Sequence, residues 1–510
     1  MALVDAALIK SLALKDAIVS EVGAPLFLLP NRNVETALVG AADYWLDAEA
    51  EAVLDRLASY FGGRFQRGHE RHSVEVVLAQ KSQKGRRPLH VMSFEQRVLY
   101  RALVESLEPD VPKADRSDEA WTAFQEGPLA DEGYQYLVRT DVVGFYQYVD
   151  HELLLDELVA RTGNARTAEA IGELLTSVTG RAGLPQNVGA SHVLSEYYLD
   201  AVERALLRNG HPMWRFSDDI IVASNSWVGI NHALGELSER LRRVGLVINE
   251  EKTRYFRQDT YRRWIADPLE RLREAGGADL VAVVDDYDPD EPPDDEDRQL
   301  DLAASEEVAV ELLERSLAAH RSSTHTDRLD AVVNRKVLRG ALRLLTLTES
   351  AAGLGHVPDL LRYEPQLTAS VSKYLKRVAS NGGADSVRGV LSTCVDADDL
   401  YISPWQAAWL IDALQRSEDP FDEPLQGWLR TQLLSTASTT RSQAAEVLAY
   451  PDQIDVTELT RLYEMAPPAS KVDFAAAIFL RCWDRDAPPV KSVRRDSPLN
   501  DVVADAMLPR

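Results

Sequence analysis

The stretch Met213-Trp-Arg-Phe-Ser-Asp-Asp-Ile-Ile-Val-Ala-Ser224 limits what this chain can become more than any other. Apolar and aromatic residues flank two consecutive carboxylates, and β-branched Ile220, Ile221 and Val222 follow at once. That pattern predicts a hairpin with the acids at its bend, a place that can hold a metal ion. Composition alone also produces Asp-Asp pairs, since 81 of 510 residues are acidic and further pairs stand at Asp294-Asp295 and Asp398-Asp399. The distinguishing feature of Asp218-Asp219 is strand-like sequence on both sides, an odd frame for carboxylates that merely face water.

A chain of 510 residues exceeds what one hydrophobic core usually organises, so two to four domains are expected. Nothing resembles a membrane span or a secretory leader, which predicts a soluble, cytoplasmic protein with no membrane partner. The two cysteines, Cys394 and Cys482, have no metal-ligand spacing around them. Of the ten histidines only His69 and His72 are close, and they read as a polar face, so no zinc enzyme is expected. The net charge of −25 argues against nucleic acid on its face, because phosphate binding draws on Lys and Arg. Charge is uneven, however: residues 61–107 carry nine Lys/Arg against four Glu, whereas 285–297 hold nine acids and no base.

Residues 1–60 read as helical, with a turn at 30–33, and Gly62-Gly63 reads as a break. Strand-like pieces on either side of Lys81-Ser-Gln-Lys-Gly-Arg-Arg87 predict a hairpin that presents Lys81 and Arg87 on one side as a triphosphate clamp, or else a solvated basic loop. Residues 93–107 form a helix and 110–133 a polar connector. Residues 136–146 read as a buried strand carrying the isolated Asp141, a carboxylate that needs a hydrogen-bond partner or cation in such apolar surroundings. Helices over 151–160 and 167–179 follow, then a Gly183-Leu-Pro-Gln186 turn into a helix able to bring Gln186 and Ser191 beside a ligand. After the hairpin come a helix over 231–244 and a short strand at 246–248. The order predicts an α+β layer with an antiparallel sheet. The acidic run 285–297 is too charged to fold alone, and helical spacing recurs beyond it at 303–319, 327–349, 366–379, 404–416, 425–436 and 469–482, as in a helical-repeat array or a plain bundle.

In this order the segments resemble the reverse transcriptase family over about residues 60–260. Lys81 to Leu89 looks like the fingers motif, Asp141-Val-Val-Gly-Phe-Tyr146 like the first palm motif, and Gly183-Leu-Pro-Gln with Ser191 like the second. Phe216-Ser-Asp-Asp219 matches the aromatic-x-Asp-Asp signature, and Gly245-Leu-Val-Ile-Asn-Glu-Glu-Lys-Thr253 the motif after it. The resemblance implies fingers and palm over 61–260; around them the residues read as an N-terminal helical segment (1–60), an acidic linker (261–302) and an all-α, HEAT-like domain (303–510). It also implies two Mg²⁺ ions, with Asp141, Val142, Asp218 and Asp219 as the metal-contacting set. By the same resemblance Lys81 and Arg87 would hold the triphosphate of a dNTP, Tyr146 would exclude a ribose 2′-OH, and Gln186 and Ser191 would lie near the nucleotide. Lys252 would donate a proton to pyrophosphate. Two departures stand out: Asn187 where many relatives have Gly, and Ser217 between the aromatic residue and Asp218.

A reverse transcriptase core followed by a long helical region looks most like the abortive-infection and related defence-associated enzymes. That likeness implies antiphage function and, in some members, untemplated DNA synthesis primed from a protein tyrosine, with assembly into trimers or hexamers. Tyr44, Tyr60, Tyr363, Tyr374 and Tyr401 are then candidate primers. The other readings are a mobile-element enzyme of retron or intron type using an RNA template or noncoding RNA, and a catalytically silent helical scaffold.

Overall fold

The computed structural model describes residues 6–22, 48–68, 74–81, 85–107, 110–111, 114–266, 302–322, 328–414 and 419–508. The acidic run 285–297, the histidines His69 and His72, the turn at 30–33 and Tyr44 lie outside the described residues. The chain divides into two compact units, and the division does not follow chain order. One gathers residues 1–21, 61–74 and 95–270; the other gathers 22–60, 75–94 and 271–510. No helix among the described residues is long and apolar enough to cross a membrane.

The first unit begins with helices α1 (Ala6–Ser11) and α2 (Leu14–Val22), and receives the end of α3 (Ala48–Gln66). The latter helix runs straight through Gly62-Gly63, against the expected break. Phe61 and Phe65 are fully buried one turn apart with their rings stacked, and Gly62 lies between them against Ile9 and Leu14. Burial of that face outweighs the roughly 1 kcal/mol that each helical glycine costs. Helix α4 (Phe94–Glu105) follows. Part of the expected connector is also helix: α5 (Asp118–Glu126) starts at Ser117, whose side chain accepts the Ala120 N–H, and buries Phe124.

At the centre of this unit is a four-stranded antiparallel sheet. Its strands are β3 (Tyr136–Asp141), β4 (Met213–Phe216), β5 (Asp219–Ser224) and β6 (Arg254–Arg257), in the order β4-β5-β3-β6. Strand β3 is shorter than its apolar sequence suggests. Gly144 adopts φ +56 and turns the chain into a single helical turn, α6 (Phe145–Tyr148), so Tyr146 leaves the strand. The expected strand at 246–248 is likewise no strand. Val143 N–H bonds to Val247 O at 3.0 Å and Asn249 N–H to Asp141 O at 2.7 Å, so the segment runs past the end of β3 with one isolated bridge, Val142 to Ile248. Helices α7 (His151–Thr162), α8 (Ala165–Thr179), α9 (Gly189–Arg208) and α10 (Trp227–Arg243) complete the unit. The apolar residues Ile230, Ala233, Leu237 and Leu241 of α10 are buried and recur at helical spacing, and the helix packs on β3 and β5.

The second unit holds the hairpin β1 (Glu75–Gln80) and β2 (Arg86–Val91), with a long series of helices. Alternation along the strands puts Val77, Ala79, Leu89 and Val91 on one face, buried in a cluster with Ala369, Trp405 and Trp409. Glu75 reinforces this by accepting from the Ser438 N–H at 2.8 Å and from its hydroxyl. The helices are α11 (Leu302–Ser322), α12 (Arg328–Leu347), α13 (Val357–Tyr363), α14 (Thr368–Val378), α15 (Ala384–Asp396), α16 (Pro404–Ala413), α17 (Glu423–Gln432), α18 (Ser438–Ala449), α19 (Val456–Met465), α20 (Pro468–Cys482), α21 (Pro488–Asp496) and α22 (Pro498–Met507). Alternate members α12, α14, α16, α18, α20 and α22 pack side by side in a row, with α15 against α17 beside them. Such a row buries a continuous apolar seam that no single helix pair could bury.

Candidate active site

The bend between β4 and β5 is a two-residue loop, Ser217-Asp218, because Phe216 pairs directly with Asp219. Ser217 takes φ +55, the left-handed conformation that a tight hairpin loop needs at its first position. Its carbonyl accepts a 3.2 Å bond from the Arg215 guanidinium, which itself is anchored on Glu196 at 2.6 Å and Glu203 at 3.0 Å. A non-glycine residue held at positive φ by its surroundings is a strain often found where a side chain must be aimed.

Register then brings the third acid in. Asp141 at the end of β3 lies opposite Asp219, and Val142 N–H donates to the Asp218 carbonyl at 3.3 Å. Three carboxylates from two separate segments therefore meet at one corner of the sheet. Burial and the charges of Asp141 and Asp219 push Asp218 up to about 6 from its ordinary 3.8. Burial also raises Asp219, opposed by Arg139, whose Nη2 sits 3.4 Å from Asp219 Oδ1.

Two partners of the acids, Arg139 and Asn249, escaped the sequence reading. Arg139 precedes Asp141 by two positions on the same strand face and lies over the rings of Trp121, Phe124 and Trp264. The period of two was a signal that could have found it. Asn249 donates to Asp141 Oδ2 at 3.3 Å, and Lys252 reaches the same oxygen at 2.6 Å. Lys252 thus joins the acids directly.

The Gly183-Leu-Pro-Gln186 turn is bound to the segment after β3. Gly183 N–H donates to Val149 O at 2.8 Å, Leu184 N–H to Tyr146 O at 2.7 Å, and the Gly183 carbonyl faces His151 Nε2 at 2.7 Å. Gly183 has φ +96, and a Cβ there would stand 2.9 Å from Tyr146 O, so only glycine fits. Gln186 is half-buried and Asn187 takes φ +63, a conformation that Asn tolerates better than most residues and that explains the expectation of glycine at this place. Tyr146 turns its hydroxyl inward, 2.8 Å from His192 Nδ1 and 3.1 Å from Ser195 Oγ. Burial, with Arg116 and Arg101 nearby, lowers His192 to about 4, so this imidazole is neutral at working pH; burial raises the Tyr146 phenol, so it stays protonated.

One expected ligand contact is corrected. Ser191 is fully buried and its hydroxyl bonds to Tyr100 OH at 3.1 Å, so it joins α9 to α4 and does not face a nucleotide. Lys81 and Arg87 belong to the other unit; the hairpin register places both on its Val77–Leu89 face, with Lys81 exposed and Arg87 half-buried.

An all-oxygen set containing a buried, mutually repelling carboxylate suits a hard divalent cation such as Mg²⁺. Asp141, Asp218 and Asp219 would hold it through their carboxylates, and Val142, whose side chain is apolar, could offer only its carbonyl. Residues 79–269 match the family described as reverse transcriptase (RNA-dependent DNA polymerase). The chain contains a reverse transcriptase domain. The description of that family is of an RNA-dependent DNA polymerase. Among solved structures, the chain is similar to telomerase from Candida albicans in complex with a TWJ fragment of telomeric RNA, at 10% identity and TM-score 0.30, over 62% of this chain and 64% of that one. The corresponding Candida tropicalis structure gives 12% identity and TM-score 0.30, over 65% and 63%. This chain therefore spans somewhat less than two thirds of either telomerase chain. A comparison with curated proteins returns no match.

The charge state of the reverse transcriptase acids predicts a pH effect of definite sign. In the ion-free protein Asp218 titrates near 6 when folded and near 3.8 when unfolded, so its contribution to stability is present below 3.8 and lost as pH rises through 6. A bound cation reverses the preference. The rise in thermal midpoint produced by Mg²⁺ is expected to be larger at pH 8 than at pH 5; an equal rise at both would show that these acids do not receive the ion.

Proposed function

We propose that this chain is a Mg²⁺-dependent DNA polymerase of reverse transcriptase type, using deoxynucleotides and acting in antiphage defence. The observation that carries the reading is the meeting of Asp141, Asp218 and Asp219, each in its motif, with Lys252 on Asp141. Two Mg²⁺ ions, when bound, would stabilise the attacking 3′ oxygen and the leaving pyrophosphate. The three carboxylates would hold the ions, and Arg139 restrains Asp219. Lys252, with a 44% exposed side chain beside Asp141, is the available proton donor for pyrophosphate. Lys81 and Arg87 are the proposed triphosphate contacts, and Gln186 lines the nucleotide. The HEAT-like character of the helical row, and its use as a binding scaffold in defence, belong to the same proposal.

Synthesis without template, primed by a tyrosine, is the finer part. Tyr374 is a poor primer because it is fully buried and donates to Ser350 O at 2.7 Å. Tyr60 and Tyr363 are half-buried, and Tyr401 is 74% exposed, which favours it among the described candidates. Incubation of the protein with Mg²⁺ and each labelled dNTP, with and without template, followed by protease or nuclease, tests this. DNA that remains attached to protein, and is lost in Tyr401→Phe, supports the reading. Absence of incorporation in every condition, equal for wild type and Asp218→Ala, would leave only a silent scaffold.

The Tyr146 side chain is held by His192 and Ser195, so its ring has a defined place, within electrostatic reach of Asp218. Tyr146→Ala is expected to admit ribonucleotides, shifting the dNTP-to-NTP preference by about tenfold or more, in line with the 1–3 kcal/mol that one steric contact can contribute. Unchanged sugar discrimination in single-nucleotide incorporation would remove it from the gate role.

A further inference from the structure

A second constellation lies away from the three acids, on the two segments that flank the catalytic hairpin. Helix α9 ends in a left-handed cap: Gly210 has φ +81, its N–H bonds to Leu207 O at 3.0 Å, and the His211 N–H bonds to Leu206 O at 3.0 Å. Those bonds fix the His211 backbone two residues before β4 begins. On the other side of the hairpin, His232 and Glu236 are four positions apart on α10 and so share one face.

The three side chains converge. His211 Nε2 lies 3.3 Å from His232 Nδ1 and 3.2 Å from Glu236 Oε2. Two donors bound to one tetrahedral zinc ion at 2.0–2.1 Å are about 3.3–3.4 Å apart, so both spacings match those of ligands around a shared centre, and all three donor atoms lie within 4.8 Å of one another. The remaining carboxylate oxygen is already engaged: Glu236 Oε1 accepts from Arg240 Nη2 at 3.1 Å and from the Asn209 amide. This leaves Oε2 directed at the histidines, the arrangement by which outer partners orient a metal-binding carboxylate. His211 and Glu236 are largely shielded while His232 is exposed, so an ion here would keep an open side for water.

We propose that His211, His232 and Glu236 form a second metal site, for a zinc-class divalent ion, that staples α9 to α10 across the base of the hairpin carrying Asp218 and Asp219. Two imidazoles select zinc, cobalt or nickel over magnesium, whose preferred ligands are oxygens. The ion stiffens the scaffold of the hairpin and takes no part in nucleotide chemistry. Sequence spacing conceals the site, because 21 positions separate the two histidines.

The test uses the untagged full-length chain, stripped with chelator and titrated with Co²⁺. One equivalent is expected to develop the strong visible absorption of four-coordinate cobalt, to be displaced by Zn²⁺ and to persist in millimolar Mg²⁺. His232→Ala and His232→Gln, at an exposed position, are expected to lose this absorption together with the Zn²⁺-induced rise in thermal midpoint, while keeping wild-type Mg²⁺-dependent incorporation. Arg240→Ala is expected to weaken Co²⁺ binding about 10–100-fold, as loss of an outer partner does elsewhere. Asp218→Asn should retain the full signal. Absence of the absorption in wild type, or its survival in both His232 variants, overturns the proposal.

Discussion

Asp218→Asn is expected to lower Mg²⁺-dependent nucleotide incorporation by about 10³-fold, while raising the thermal midpoint of the ion-free protein. The first effect follows from removing one of the carboxylates that would hold the cations against the developing negative charge, and losing one group of such an electrostatic site is commonly worth about 10²–10³ in rate. The second follows from crowding: Asp218 is driven up to about 6 by burial and by the charges of Asp141 and Asp219, so a neutral isostere relieves repulsion in the folded state. Activity and stability should therefore move in opposite directions, a pattern that misfolding cannot produce. Single-turnover incorporation and a melting curve on the same preparation check both. Loss of activity with a lowered midpoint would point to a structural role for Asp218 instead.

Glu21→Gln is expected to lower the stability of the unit containing the sheet by about 3 kcal/mol, the lower end of what breaking a buried ion pair costs. Glu21 is only 2% exposed, with Oε1 2.6 Å from Arg101 Nε and Oε2 3.8 Å from Arg97 Nη1. Glutamine keeps the shape and removes the charge, leaving Arg97 buried without it. Arg101 retains Glu105 at 3.3 Å, which moderates the loss. The consequence reaches α9, because the Arg101 guanidinium packs where a Cβ of Gly189 would be, and Tyr100 beside it bonds to Ser191. A change in unfolding free energy, read from denaturant melts, of less than about 0.5 kcal/mol, the size typical of surface changes, would show that Glu21 is not the anchor of α2 on α4.

The hairpin of β4 and β5 was legible because two β-rich runs around a polar gap have few other solutions. Asp141 was legible for a different reason: an acid inside an apolar strand demands a partner wherever the strand goes. Other features were hidden by tertiary effects. Gly62-Gly63 looks like a helix stop until Phe61 and Phe65 are seen to share a buried face. Asp118–Glu126 looks like a connector because its polar residues dominate, yet the Ser117 cap and burial of Phe124 carry it into a helix. Ser191 looks like a ligand contact because of where it stands after Gly183, and only packing against Tyr100 removes it from that role.

Local sequence determined the strand or helix character of most segments, which acids stood out, and the order that marks a reverse transcriptase domain, because periodicity and turn chemistry act over a few residues. Only the tertiary structure decided that residues 75–94 group with the C-terminal helices, that Lys252 and Asn249 reach Asp141, and that His211 meets His232 and Glu236. Those juxtapositions depend on register and helix packing between positions far apart in the chain, and no local pattern encodes them.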